Sequence, residues 1–127
     1  MKLLGIDFGL AKVGLAMADE NLAQPFGVIN NDSRLVEKIS KICQANRVEK
    51  VVIGIPEGEM AKKVKKFAKK LSQSTDLLIV FQDETLTSKE AIVKMIEAGK
   101  GRKYRQTKSD AFAAALILQS YLDKLSG

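Results

Sequence analysis

Leu3–Asp19, LLGIDFGLAKVGLAMAD, is the stretch whose reading decides the fold. Two apolar runs, residues 2–8 and 12–18, flank a short break, which predicts two strands joined by a tight turn near Ala11 and Lys12. One carboxylate, Asp7, sits inside the first run among Leu3, Leu4, Ile6 and Phe8. Such neighbours mark a buried strand, where an ionised side chain loses hydration that something must replace. A bound cation is one replacement, which would make Asp7 a metal ligand on a central strand. Bracing of the turn through local backbone bonds is the other reading. Gly9 and Gly14 are residues that let a backbone or a ligand approach closely.

Outward from the hairpin, a third strand is expected over residues 26–30, started by Pro25. Asp32 or Ser33 then caps a helix whose Leu35, Val36, Ile39, Ile42 and Cys43 share one face. Lys50–Ile55 is too uniformly apolar for an edge strand and predicts a buried parallel one, ended by Pro56. A second helix is predicted over Glu59–Ser74, with Val64, Phe67, Ala68 and Leu71 as its apolar stripe. Its opposite side carries Lys62, Lys63, Lys65, Lys66, Lys69 and Lys70 within an arc of about 160°. A solvated face is the default for such a row, and a phosphate-facing surface is the alternative. A fifth strand is expected over residues 77–81. Thr87-Ser88-Lys89-Glu90 forms a capping box opening a helix through Ile92, Val93 and Ile96, ended by Gly99. The last helix runs from Thr107 to about Leu125 and is rich in alanine, which lets a helix pack closely on a sheet. Asp110 in its first turn could complete a second capping box from Thr107, and the helix dipole also favours an acid there. The order β-β-β-α-β-α-β-α-α gives a single α/β domain over residues 1–127, an antiparallel meander feeding parallel strands.

Composition narrows the chemistry. With 127 residues, of which 46% are apolar, one domain with a real core is expected. No leader and no run long enough to span a bilayer is legible, so a cytoplasmic protein with no membrane partner is expected. The chain has one cysteine and no histidine, which rules out an internal disulfide and a histidine base and argues strongly against a zinc centre. Cys43 reads as a small buried hydrophobe. Any metal must be held by carboxylates, which favours Mg²⁺ or Mn²⁺. The net charge of +6 fits a polyanionic partner. Five cations and a tyrosine with no acid make residues 99–108, GKGRKYRQTK, the strongest nucleic-acid contact in the sequence. Its cations are Lys100, Arg102, Lys103, Arg105 and Lys108, and Lys12 on the hairpin joins them as a candidate phosphate ligand.

Three acids stand out by position: Asp7 in the first strand, Glu84 beside Asp83 after the fifth, and Asp110 at the start of the last helix. Open α/β sheets gather ligands at the carboxyl ends of their parallel strands. Three carboxylates meeting there would repel one another unless a divalent cation sat among them. In this order, IDFGLAKVGLA, VVIGIP, DETLTSKEA and KSDAFAAALIL resemble the YqgF family over nearly the whole chain. That resemblance implies an RNase H-like fold, a mixed five-stranded sheet with its first three strands antiparallel and helices flanking it. It implies a metal-dependent nuclease akin to bacterial Holliday junction resolvases, acting on the 5′ end of pre-16S rRNA. Asp7, Glu84 and Asp110 would then be the catalytic and metal-binding acids, with RNA a better expected partner than DNA and a monomer or weak homodimer as the working state.

Two departures from the family pattern stand out. Thr85 replaces an arginine, and the loop after Pro56 is short. Both are expected to alter the grip on substrate. A junction-resolving DNase is the enzymatic rival and requires a two-fold dimer. A nucleic-acid-binding module without catalysis is the rival from another class.

Overall fold

The computed structural model describes residues 1–84 and 109–126. The capping box at Thr87, the helix it opens, Thr85, Thr107 and the basic segment 99–108 lie outside the described residues. The elements are β1 (Leu3–Phe8), β2 (Lys12–Ala18), β3 (Ala23–Asn30), α1 (Leu35–Ala45), β4 (Lys50–Ile55), α2 (Glu59–Ser74), β5 (Leu78–Asp83) and α3 (Ser109–Ser126). The strands form one sheet in the order β3-β2-β1-β4-β5. β1 pairs antiparallel with β2 and β2 with β3, while β1, β4 and β5 run parallel.

The pleat sorts residues by size. Leu4, Ile6, Val13, Leu15, Met17, Val51 and Ile53 point to one face and form a core with Leu35, Ile39 and Cys43 of α1 and Val64, Phe67, Ala68 and Leu71 of α2. The intervening positions are mostly small. Ala16, Ala18 and Ala23, with Leu3 and Val52, pack beneath α3 through Phe112, Ala114, Ala115, Ile117, Leu118 and Leu122. Gly5 shows how close this helix comes, since a Cβ there would lie 2.8 Å from the Leu118 Cβ. Gln119 fastens the same helix to the β2–β3 connection. Its Oε1 accepts from the Ala23 N–H (2.9 Å), and its Nε2 donates to the Asn21 carbonyl (3.0 Å) and to Asp123 (3.1 Å).

Several boundaries differ from expectation, three of them for a local reason. β3 begins at Ala23, three residues before the expected start, and Pro25 lies within it. Leu15 pairs with Gly27 and Ala16 with Pro25, so Phe26 is the extra residue of a bulge. A bulge on an edge strand is where proline is tolerated. β5 runs to Asp83, because Gln82 and Asp83 continue the parallel ladder opposite Gly54 and Ile55. α1 begins at Leu35 with Arg34 at the cap position and no side-chain cap. Asp32 instead accepts from the Arg34 N–H (2.9 Å) and pairs with Lys38 (2.8 Å), holding the approach to the helix. β2, β4 and α2 span the expected residues, and β1 begins one residue later than expected, at Leu3.

Candidate active site

The size sorting of the sheet builds the site. Asp7 belongs to the face beneath α3 and pairs across the hairpin with Gly14. A Cβ on Gly14 would fall on the Asp110 carbonyl oxygen, so only glycine lets the first turn of α3 rest there. That contact carries Asp110 to the neighbourhood of Asp7. Gly54 serves the third acid in the same way. A Cβ on it would stand 2.8 Å from Glu84 Oε1 and 2.5 Å from Ile117 Cδ1.

Asp7 and Glu84 share a cavity of about 190 Å³ walled by Ala113, Leu116 and Ile117 of α3. Burial pushes the Asp7 carboxyl up from 3.8 to about 7, helped by a hydrogen bond to Glu84 and by the negative charges of Glu84 and Asp110. Among the described residues no cation offsets that shift. The hairpin turn is braced by other groups. Asn31 donates its side-chain amide to the Gly9 carbonyl (2.7 Å) and its backbone N–H to the Ala11 carbonyl (3.0 Å). Glu84 is half-buried just past β5, whereas Asp83 is exposed on the strand itself.

The three expected acids are therefore not equivalent. Asp7 and Glu84 line one cavity. Asp110 acts on Asp7 through its charge, and it does not line that cavity. Among the described residues no three acids have the spacing of a closed metal cage. Lys12 is exposed at the start of β2, where its ammonium approaches Asn30 Oδ1 at 3.5 Å. Lys100, Arg102, Lys103, Arg105 and Lys108 lie outside the described residues. Cys43 is 3% exposed, and burial pushes its thiol up to about 11, so it serves packing. Sequence reasoning missed the apolar wall and the clearance at Gly54. A glycine interrupting VVIGI, and Ala113 and Ile117 recurring at helical spacing after Asp110, are the signals that mark them.

The donor set suits a hard divalent cation. Two carboxylates in contact, one holding a proton through burial and repulsion, become a favourable pair once a positive charge replaces that proton. Oxygen donors without nitrogen or sulfur belong to the chemistry of hard cations.

Comparison with known proteins places this geometry in a family. The sequence profile of the RuvX family, described as Holliday junction resolvase, matches residues 1–124. A protein of Carboxydothermus hydrogenoformans, provisionally named pre-16S rRNA nuclease, is 39% identical over 133 residues, covering 97% of this chain and 96% of its own length. One of Sulfurihydrogenibium sp., with the same provisional name, is 36% identical over 140 residues, covering 98% and 92%. Among solved structures, Thermus thermophilus RuvC in complex with a Holliday junction substrate superposes with a TM-score of 0.66 at 16% identity, covering 100% of this chain and 98% of that one. The fowlpox virus Holliday junction resolvase gives 0.64 at 15% identity, covering 98% and 99%. These likenesses identify the fold as RNase H-like, and with residues 1–124 matched by its profile, the chain belongs to the RuvX (YqgF) family.

Proposed function

We propose that this protein is a metal-dependent nuclease that hydrolyses phosphodiester bonds in RNA, at the 5′ end of pre-16S rRNA, with Asp7, Glu84 and Asp110 as its catalytic acids. The observation that carries the reading is the Asp7–Glu84 pair at the carboxyl end of the parallel strands, with Asp110 close enough to raise Asp7 further. Relatives along the full chain that bear the name pre-16S rRNA nuclease support the choice of RNA. A bound Mg²⁺ or Mn²⁺ would supply water activation and stabilisation of the leaving oxygen. The chain's own part is to hold and aim. Asp7 and Glu84 offer oxygens from the carboxyl ends of β1 and β5, on either side of β4, Asp110 adds negative charge from the helix, and the α3 wall keeps one side of the cavity dry. Such chemistry needs no protein base, in keeping with a chain that has no histidine. Lys12 and the basic residues Lys100, Arg102, Lys103, Arg105 and Lys108 neutralise backbone phosphates, reading shape and charge rather than sequence. The protein works in the cytoplasm as a monomer or weak homodimer.

The test is cleavage of a pre-16S rRNA fragment and of a four-way DNA junction, each in Mg²⁺, Mn²⁺ and EDTA, by wild type and Asp7→Asn. Cutting of the RNA that needs the divalent ion and disappears in Asp7→Asn is the expected result. Cutting of the junction alone would replace RNA with DNA as substrate. Cutting that persists in EDTA or in Asp7→Asn would overturn the metal mechanism.

A further inference from the structure

A larger cleft, of about 390 Å³, lies on the opposite face of the sheet, between the start of α1 and α2. Lys63, Lys66 and Lys70 border it, and Phe8 and Phe67 line it, with ring centroids 5.0 Å apart at 32°. The six lysines of α2 are all exposed, as a solvated face requires, but they fall into two rows. At about 100° per residue, Lys63, Lys66 and Lys70 lie within about 60° of one another, beside the apolar stripe. Lys62, Lys65 and Lys69 form a second row about 100° further round. Only the first row borders the cleft. Among the described residues its three ammonium groups have no ion pair, whereas Lys62 meets Glu59 at 3.5 Å. The one acid on the cleft among the described residues, Asp32, is neutralised by Lys38, which with the Arg34 N–H holds its carboxyl below the usual range.

We propose that this cleft is a second nucleic-acid site, which holds a single-stranded segment with its phosphates on Lys63, Lys66 and Lys70 and a base against Phe8. Charge selects a polyanion, and an aromatic ring among cations is how proteins grip single strands without reading sequence. The three lysines are spread over about 10 Å of helix, which suits consecutive phosphates rather than one isolated anion. A cleft of this size admits a base but not a duplex. Phe8 directly follows Asp7 on β1 and faces the other way, so a flexible strand that wraps the carboxyl end of β1 reaches both sites. The site requires nucleic acid to bind, not to be cut, so it stands or falls separately from the proposed hydrolysis.

Binding of a labelled single-stranded uridine homopolymer is measured by fluorescence anisotropy in EDTA, between about 0.05 and 0.2 M salt. The cleft triple Lys63→Gln, Lys66→Gln, Lys70→Gln is compared with the control triple Lys62→Gln, Lys65→Gln, Lys69→Gln. Both lose the same charge from the same helix. The cleft triple is expected to weaken binding at least about tenfold and to lower the salt slope by about 2, at about 0.7 per lost contact. The control changes affinity far less. Phe8→Leu, which keeps an apolar side chain against Phe67, weakens binding about fivefold or more with the slope unchanged. Equal losses in the two triples, no loss in either, or equal displacement of the probe by polyglutamate would overturn the proposal.

Discussion

The two faces of the sheet are built on opposite rules. Beneath α1 and α2 the strands present Leu4, Ile6, Val13, Leu15, Val51 and Ile53, all fully buried, and the face holds by volume. Beneath α3 the strands present glycine and alanine at most positions, and the face holds by proximity. Among the described residues, two helices on the first face make a thick core. One helix laid almost on the backbone of the second leaves a shallow site at its end, where Asp7 and Glu84 meet. Stability and the proposed chemistry thus fall on opposite sides of β1, one residue apart: Ile6 is fully buried in the first face, and Asp7 is crowded with acids on the second. The first face should fail when atoms are removed and the second when atoms are added.

The largest effect is expected from removing volume. Ile6→Ala should destabilise by about 2–5 kcal/mol, read by urea denaturation, because the packed face cannot close over the lost methyl groups. Adding volume to the other face comes next. Gly14→Val should destabilise by about 1–3 kcal/mol and abolish cleavage, because the new side chain pushes the first turn of α3, with Asp110, off the sheet. Retained activity in a folded Gly14→Val would break the comparison. The smallest effect has the opposite sign. Asp7 takes its proton near pH 7 in the fold, against 3.8 ordinarily, so between those values the folded protein binds more protons than the unfolded chain. Stability of the metal-free protein should therefore fall as pH rises from about 4 to about 7 and stay low above it. Asp7→Asn removes that loss. With allowance for partial solvent access it should gain on the order of 1–2 kcal/mol at pH 8, a rise of several degrees in melting temperature, and nothing at pH 4. A marked fall in melting temperature would make Asp7 a structural brace.

Much of this was readable before any coordinates. Apolar runs and glycine breaks are local signals, so β2, β4 and α2 emerge with their bounds and β1 to within one residue. Pro25 misleads because a bulge, set by pairing with β2, lets an edge strand continue through it. The choice between Asp83 and Glu84 depends on where β5 stops, and that is fixed by its ladder with β4 rather than by its own residues. Asp7, Glu84 and Asp110 stand out in the sequence as acids in unusual places. Their unequal roles, two lining the cavity and one acting on it by charge, follow from the contact of the Asp110 carbonyl with Gly14. The lysine row of α2 is plain in the sequence. Which half of it borders a cleft depends on where the start of α1 lies beside α2, which the sequence does not state.

Calorimetric titration of the metal-free protein with Mn²⁺ near pH 6.5, in two buffers of different ionisation enthalpy, tests the acid site most directly. Binding should release a proton, up to about one per ion, because the cation displaces the one that Asp7 holds. In Asp7→Asn the proton release should vanish and the affinity should fall. Absence of binding by the wild type, or the same heat and proton release in Asp7→Asn, would contradict a divalent-ion site at Asp7 and Glu84.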